Sequence, residues 1–149
     1  MIVALVFAAG LLSGQAPKAQ RQDILNYQLN LPLANRLITA MEAMTKYVVS
    51  LPDFQARVVK QMKMSPAEQI ADVENDPKAM AIVKQNGLTA AEYAVGVPAL
   101  RMALGVASGG PRSPNFYASP ANVAFAKANL AQLKPKMDAA DGMPAAKKK

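Results

Sequence analysis

Residues 87–105, GLTAAEYAVGVPALRMALG, restrict the fold more than any other part of this chain. Thr89 with Glu92 forms a helix-start pattern in which the hydroxyl accepts from the later amide and the carboxylate accepts from the earlier one. Gly87 suits the left-handed position that closes a preceding helix. Between Tyr93 and Ala107 the single charge is Arg101, and the apolar residues lie on more than one side of a helical wheel. A helix that is apolar all round is buried. Its 15 residues rise roughly 22 Å, short of the roughly 20 apolar residues that a bilayer requires. The stretch therefore predicts a central helix enclosed by other helices. Pro98 lacks the N–H that would bond the Ala94 carbonyl, and its ring crowds that carbonyl. Gly96 adds backbone freedom. The helix is expected to kink or divide there, which makes Ala94, Gly96 and Pro98 the candidate kink or pocket.

The remaining helices follow from caps and spacing. Asn30 before Pro32 starts a helix over residues 32–49, with Leu33, Leu37, Met41, Met44 and Val48 as its apolar stripe and Glu42–Lys46 as an i,i+4 pair. Residues 53–64 form the next, with Phe54, Val58, Val59 and Met62 facing inward and Asp53 set to pair with Arg57. Arg57, Lys60 and Lys63 gather on another side and are the candidate basic face. Ser65-Pro66-Ala67-Glu68 is a second capping box, opening a helix to about Asn75. Asp72, Glu74 and Asp76 make an acidic cluster, but the central Gly and terminal Glu of a calcium loop are missing. Asp76 is better placed to cap a helix that starts at Pro77 and ends at Asn86-Gly87. A Gly/Pro-rich loop spans residues 108–118, with Phe116 or Tyr117 expected to anchor it on the core. Ser119-Pro120 starts the last helix, with Val123, Ala124, Phe125, Ala128 and Leu133 inward and Asn122 and Asn129 free to bond neighbouring backbone, including groups disturbed at Pro98.

The ends differ from the middle. Residues 1–12, MIVALVFAAGLL, are an apolar run followed by small and polar residues, as in a secretory signal peptide cut after Ala16 or Ala19. Residues 1–19 are thus excluded from the expected mature domain, and export to the periplasm or beyond is expected, with no membrane span in the mature chain. Residues 20–30 are expected to form an extended lead-in. Lys134-Pro135 is expected to close the domain, leaving residues 134–149 as a disordered, Lys-ended tail. The reading is one all-α domain over residues 20–133: a compact bundle of five or six helices around the Pro-kinked central helix.

Composition narrows the chemistry. The chain has no Cys and no His, which removes disulfides, thiolate nucleophiles, the commonest general base and the commonest metal ligand. No cofactor or metal is expected. Tyr93, Glu92 and Asp53 are the groups an enzyme could use, but packing, capping and ion pairing account for each. The net charge is +7; residues 20–133 hold 11 basic and 8 acidic residues, and residues 134–149 hold 5 and 2. Much of the excess is terminal, and few aromatics accompany it, so nucleic acid is a poor fit.

GLTAAEY opening an apolar helix, together with SPANVAFAKANLAQL closing the fold, resembles a group of small secreted helical bacterial proteins. The resemblance rests on Gly87, Leu88, Thr89 and Tyr93, then Asn122, Val123, Phe125 and Asn129. It implies export and an all-α fold, and it carries no function. The expectation for function is an exported, non-enzymatic binding or structural module that takes a protein or an apolar ligand, its nine Met giving an adaptable core. The alternative is a basic surface that holds anionic envelope polymer, membrane or nucleic acid.

Overall fold

A computed structural model describes residues 18–110 and 117–142. They form seven helices and no strand: α1 (Lys18–Asn26), α2 (Leu31–Val49), α3 (Phe54–Gln61), α4 (Pro66–Asn75), α5 (Pro77–Gln85), α6 (Ala90–Ala107) and α7 (Pro120–Ala140). Of the expected signal segment, residues 1–17 lie outside the described residues, as do the terminal lysines. Among those residues no helix is long and apolar enough to cross a membrane.

Local chemistry sets the helix starts. Asn30, Ser65, Asp76, Thr89 and Ser119 each accept a backbone N–H of the following turn, and Ser65–Glu68 and Thr89–Glu92 close both bonds of their capping boxes. At the end of α5, Gly87 has φ 65°. The amides of Leu88 and Gly87 bond the carbonyls of Val83 and Lys84, which with buried Leu88 is a Schellman closure.

α6 is the enclosed element: it packs against α1, α2, α4, α5 and α7. Tyr93, Val97, Leu100 and Leu104 are buried in it, and the α2 stripe of Leu37, Met41, Met44 and Val48 meets the same core. The helix does not divide at Pro98, which is buried within one continuous span.

Four expectations are corrected. Residues 20–26 are helical rather than extended, because Ile24 docks onto Ala99, Met102 and Tyr117 in a small second core. α7 does not stop at Lys134-Pro135 but runs on to Ala140, burying Met137 and Ala140. Pro135 deprives the Ala131 carbonyl of its donor, and because both residues are exposed, water can replace it. The inward face of α7 is also rotated: Asn122, Ala126 and Leu133 are buried, while Ala124 and Ala128 are exposed. Finally, α3 has no buried residue; Phe54 and Val58 are half-buried against the core, and Val59 and Met62 face solvent instead of inward.

Candidate functional site

The basic face and the acidic cluster meet. α3 lies over the α4–α5 junction, and its cations point at the acids of that junction. The Arg57 Nε donates to both Asp53 oxygens at 3.2 and 3.1 Å, and its Nη1 stands 3.5 Å from Asp76 Oδ2. The Lys60 Nζ donates to Asp72 Oδ1 at 2.9 Å. The Tyr47 hydroxyl on α2 donates to Asp76 Oδ2 at 2.7 Å, while Asp76 Oδ1 accepts the Lys78 and Ala79 amides at 3.0 and 3.1 Å. The Lys78 Nζ sits 4.8 Å over the Tyr47 ring. Of the three candidate bases, Lys63 alone has no ion pair among the described residues, and it is exposed. Glu74 is exposed and takes no part.

This network lines a cleft of about 490 Å³ bounded by Asp53, Arg57, Lys60, Asp72 and Asp76. A second groove of about 550 Å³ runs past Lys63, Met64 and Glu68, sharing Lys60, Asp72 and Asn75 with the first. Beneath α3 the floor is apolar: Met44, Val48, Val73 and Ala79, with Tyr47 and Asp76 at the rim, around a residual space of about 20 Å³. That is room for about one water molecule.

Electrostatics make the network a clasp. Burial opposes ionisation of Asp76, but the Tyr47 hydroxyl, the Ala79 and Lys78 amides and Arg57 outweigh it, so its carboxyl sits below the usual range. The hydrogen bond to that carboxylate, then burial, pushes the Tyr47 hydroxyl up. Asp53 likewise holds the Arg57 guanidinium in its charged form. Near neutral pH Asp76 is thus a carboxylate and Tyr47 a phenol, the charge states in which the hydrogen bond between them and the Arg57 contact form. Among the described residues no group of three or more acidic side chains is arranged to hold a metal ion.

The candidate pocket at Ala94, Gly96 and Pro98 is packed at its centre. A Cβ on Gly96 would stand 2.8 Å from both Leu37 Cδ2 and the Tyr27 hydroxyl, so this glycine allows α2 and the α1–α2 connection to close against α6. Pro98 is buried and Ala94 half-buried. The Asn122 side chain does not serve the Pro98 region: it accepts from Leu29 N at 3.1 Å and donates to Tyr27 O at 2.6 Å, pinning that connection to α7. Asn129 donates within its own helix, to Phe125 O at 2.8 Å. In the second core Tyr117 is buried, as expected for the loop anchor, with Arg21 4.7 Å over its ring.

One polar site had no sequence signal. Arg101, the lone charge between Tyr93 and Ala107, pairs with Asp141 at the C-cap of α7, and its Nη2 also lies 3.2 Å from Met41 Sδ. Both charged side chains are largely buried. Burial raises the Asp141 carboxyl above its ordinary range, with Arg101 working against that rise. Tyr93, fully buried nearby, is pushed far up by desolvation, so it stays a phenol. Asp141 fell within the expected tail, and only the folded chain brings it to Arg101. No protein-family model, curated protein or solved structure matches this chain.

Proposed function

We propose that this chain is an exported, non-enzymatic helical binding module, and that α3 is the lid of its binding site. The observation that carries the reading is the way α3 is held. It contributes no buried residue; half-buried Phe54 and Val58 and two ion pairs with partly exposed partners, Arg57–Asp76 and Lys60–Asp72, hold it on the bundle. Such pairs contribute about 0–1 kcal/mol each. The rest of the bundle is held by packing around α6. Lifting α3 would uncover Met44, Val48, Val73 and Ala79 on its floor. The unbranched, polarisable Met44 suits an irregular apolar guest, such as one face of a partner helix or a chain-like molecule. Export is supported by the apolar run of residues 1–12 and the small residues after it.

The competing reading, capture of an anionic polymer through Arg57, Lys60 and Lys63, is weakened because Arg57 and Lys60 already face acids within the fold. Titration with the neutral dye Nile red tests the lid. Arg57→Ala/Lys60→Ala loosens the clasp without touching the floor and should bind more dye than the wild type. A control, Lys127→Ala on exposed α7 surface, should not. Equal dye uptake by all three proteins would sink the proposal.

A further inference from the structure

α3 lies on the bundle in the manner of a docked peptide. Its half-buried residues are Phe54, Arg57, Val58 and Gln61, while the residues between them are exposed. That i, i+3, i+4, i+7 spacing is the anchor pattern of an amphipathic helix seated in a groove. The anchors are poor ones. Only Phe54 and Val58 are apolar, and Gln61 brings an amide to the last anchor position, over the floor of Met44, Val48, Val73 and Ala79.

Charge is divided unevenly between helix and groove. The cations Arg57 and Lys60 belong to α3, whereas the acids they meet across the groove, Asp76 and Asp72, belong to the bundle. Asp72 and Asp76 are four residues apart, so lifting α3 leaves two like charges about one turn apart beside an apolar floor. Asp53 leaves with α3, whose N-cap it is. Lys78 stays, but its ammonium lies over the Tyr47 ring and has no ion pair with either acid among the described residues. The open groove is thus apolar at its base and negative at its rim, although the whole chain carries +7.

We infer that the partner is a basic amphipathic helix that displaces α3 and takes its place, α3 being an internal stand-in that keeps the groove closed. The inference rests on the lid reading and adds the partner's chemistry. Charge complementarity selects this occupant. Asp72 and Asp76 repel an anionic guest once their cations have gone, and a neutral guest leaves both carboxylates unpaired. Apolar anchors on one face match the floor, and Arg or Lys at the flank matches the acids, as in α3 itself. A partner with an apolar residue where α3 has Gln61 improves on the internal helix. Its apparent affinity is scaled by the fraction of molecules in which α3 is open.

Anisotropy of fluorescein-labelled peptides tests it. One peptide copies residues 53–64 with Gln61→Leu; a second, acidic one also carries Arg57→Glu and Lys60→Glu. The protein is the full chain, wild type or Arg57→Ala/Lys60→Ala. The basic peptide should bind the double variant roughly five-fold tighter than the wild type, because two lid pairs are gone. On the double variant it should bind roughly ten-fold tighter than the acidic peptide, against the order that the chain's net charge favours. Adding Asp72→Lys should narrow that gap several-fold. Circular dichroism verifies that each variant is folded, and the two peptides are also compared on the wild type, where nothing has been substituted. Nile red separates this inference from the lid itself. Dye uptake that rises in the double variant, with both peptides bound alike or not at all, overturns the inference and leaves the lid. Dye uptake and peptide binding both unchanged from wild type overturn the two together. A wild-type dimer that the basic peptide returns to monomer would assign the groove to α3 of a second copy and overturn the inference too.

Discussion

Replacing Arg57 by Ala should free α3 while leaving the core intact. Arg57 joins Asp53 on its own helix boundary to Asp76 at the start of α5. Its side chain is more than one-third exposed, so solvent screening limits each pair to roughly 0.5 kcal/mol. Phe54 and Val58 are half-buried, and their partial cover contributes about 1 kcal/mol each. With the Lys60–Asp72 pair, detaching α3 then costs on the order of 3 kcal/mol, against ~5–15 kcal/mol for global unfolding. A detached eight-residue helix does not persist in water, so its amides exchange once it lifts. Hydrogen exchange followed by mass spectrometry should show α3 peptides protected only about a hundredfold, with α6 peptides far slower. Arg57→Ala removes about 1 kcal/mol, so α3 should exchange about five times faster, with α6 unchanged. Molar salt should reproduce part of the effect. Equal protection of α3 and α6 would mean that α3 opens only when the whole fold does, and the lid argument would fail.

Four further outcomes are expected. Gly96→Ala places a methyl against buried Leu37 and the Tyr27 hydroxyl; overpacking should outweigh the better helix propensity and lower stability by about 1–2 kcal/mol in urea melts. Asp141→Ala leaves Arg101 buried without its carboxylate and should cost about 3 kcal/mol, whereas a change within 0.5 kcal/mol would show that the pair is dispensable. Asp76→Asn keeps an N-cap acceptor but loses the charge. Because the folded state holds the Asp76 carboxyl below its ordinary range, the stability deficit of this variant should be full at neutral pH and fade as pH falls through that lowered pKa. A deficit that stays constant down to strongly acidic pH would argue against the network. If the chain is exported and cut, intact mass of protein recovered outside the cytoplasm should lack residues 1–16 or 1–19; an uncut chain in the cytoplasm would contradict export.

What could be read from the sequence was what acts over one helical turn. Asn30, Ser65, Asp76, Thr89 and Ser119 cap as expected because a side chain and an amide three residues away need nothing from the rest of the fold. The enclosure of α6 was legible because from Tyr93 onward its apolar residues lie on more than one side of the helix. Missed features depend on distant residues. Ile24 orders α1 only by reaching Ala99 and Met102. Residues beyond Pro135 stay helical because Met137 and Asp141 find the core and Arg101. The face of α7 was misplaced because alanines give little direction and Asn122 was not expected inside. Arg57 and Lys60 looked like an outward surface because the acids they meet arrive from α4 and α5, after the chain has turned back.

The central claim is that an apolar guest enters beneath α3 rather than beside Pro98. Backbone amide NMR of labelled protein titrated with a neutral apolar probe tests it directly. The account predicts shifts at Met44, Val48, Val73 and Ala79, together with the amides of α3. Shifts centred on Gly96, Pro98, Ala99 and Met102, with α3 unmoved, would contradict it.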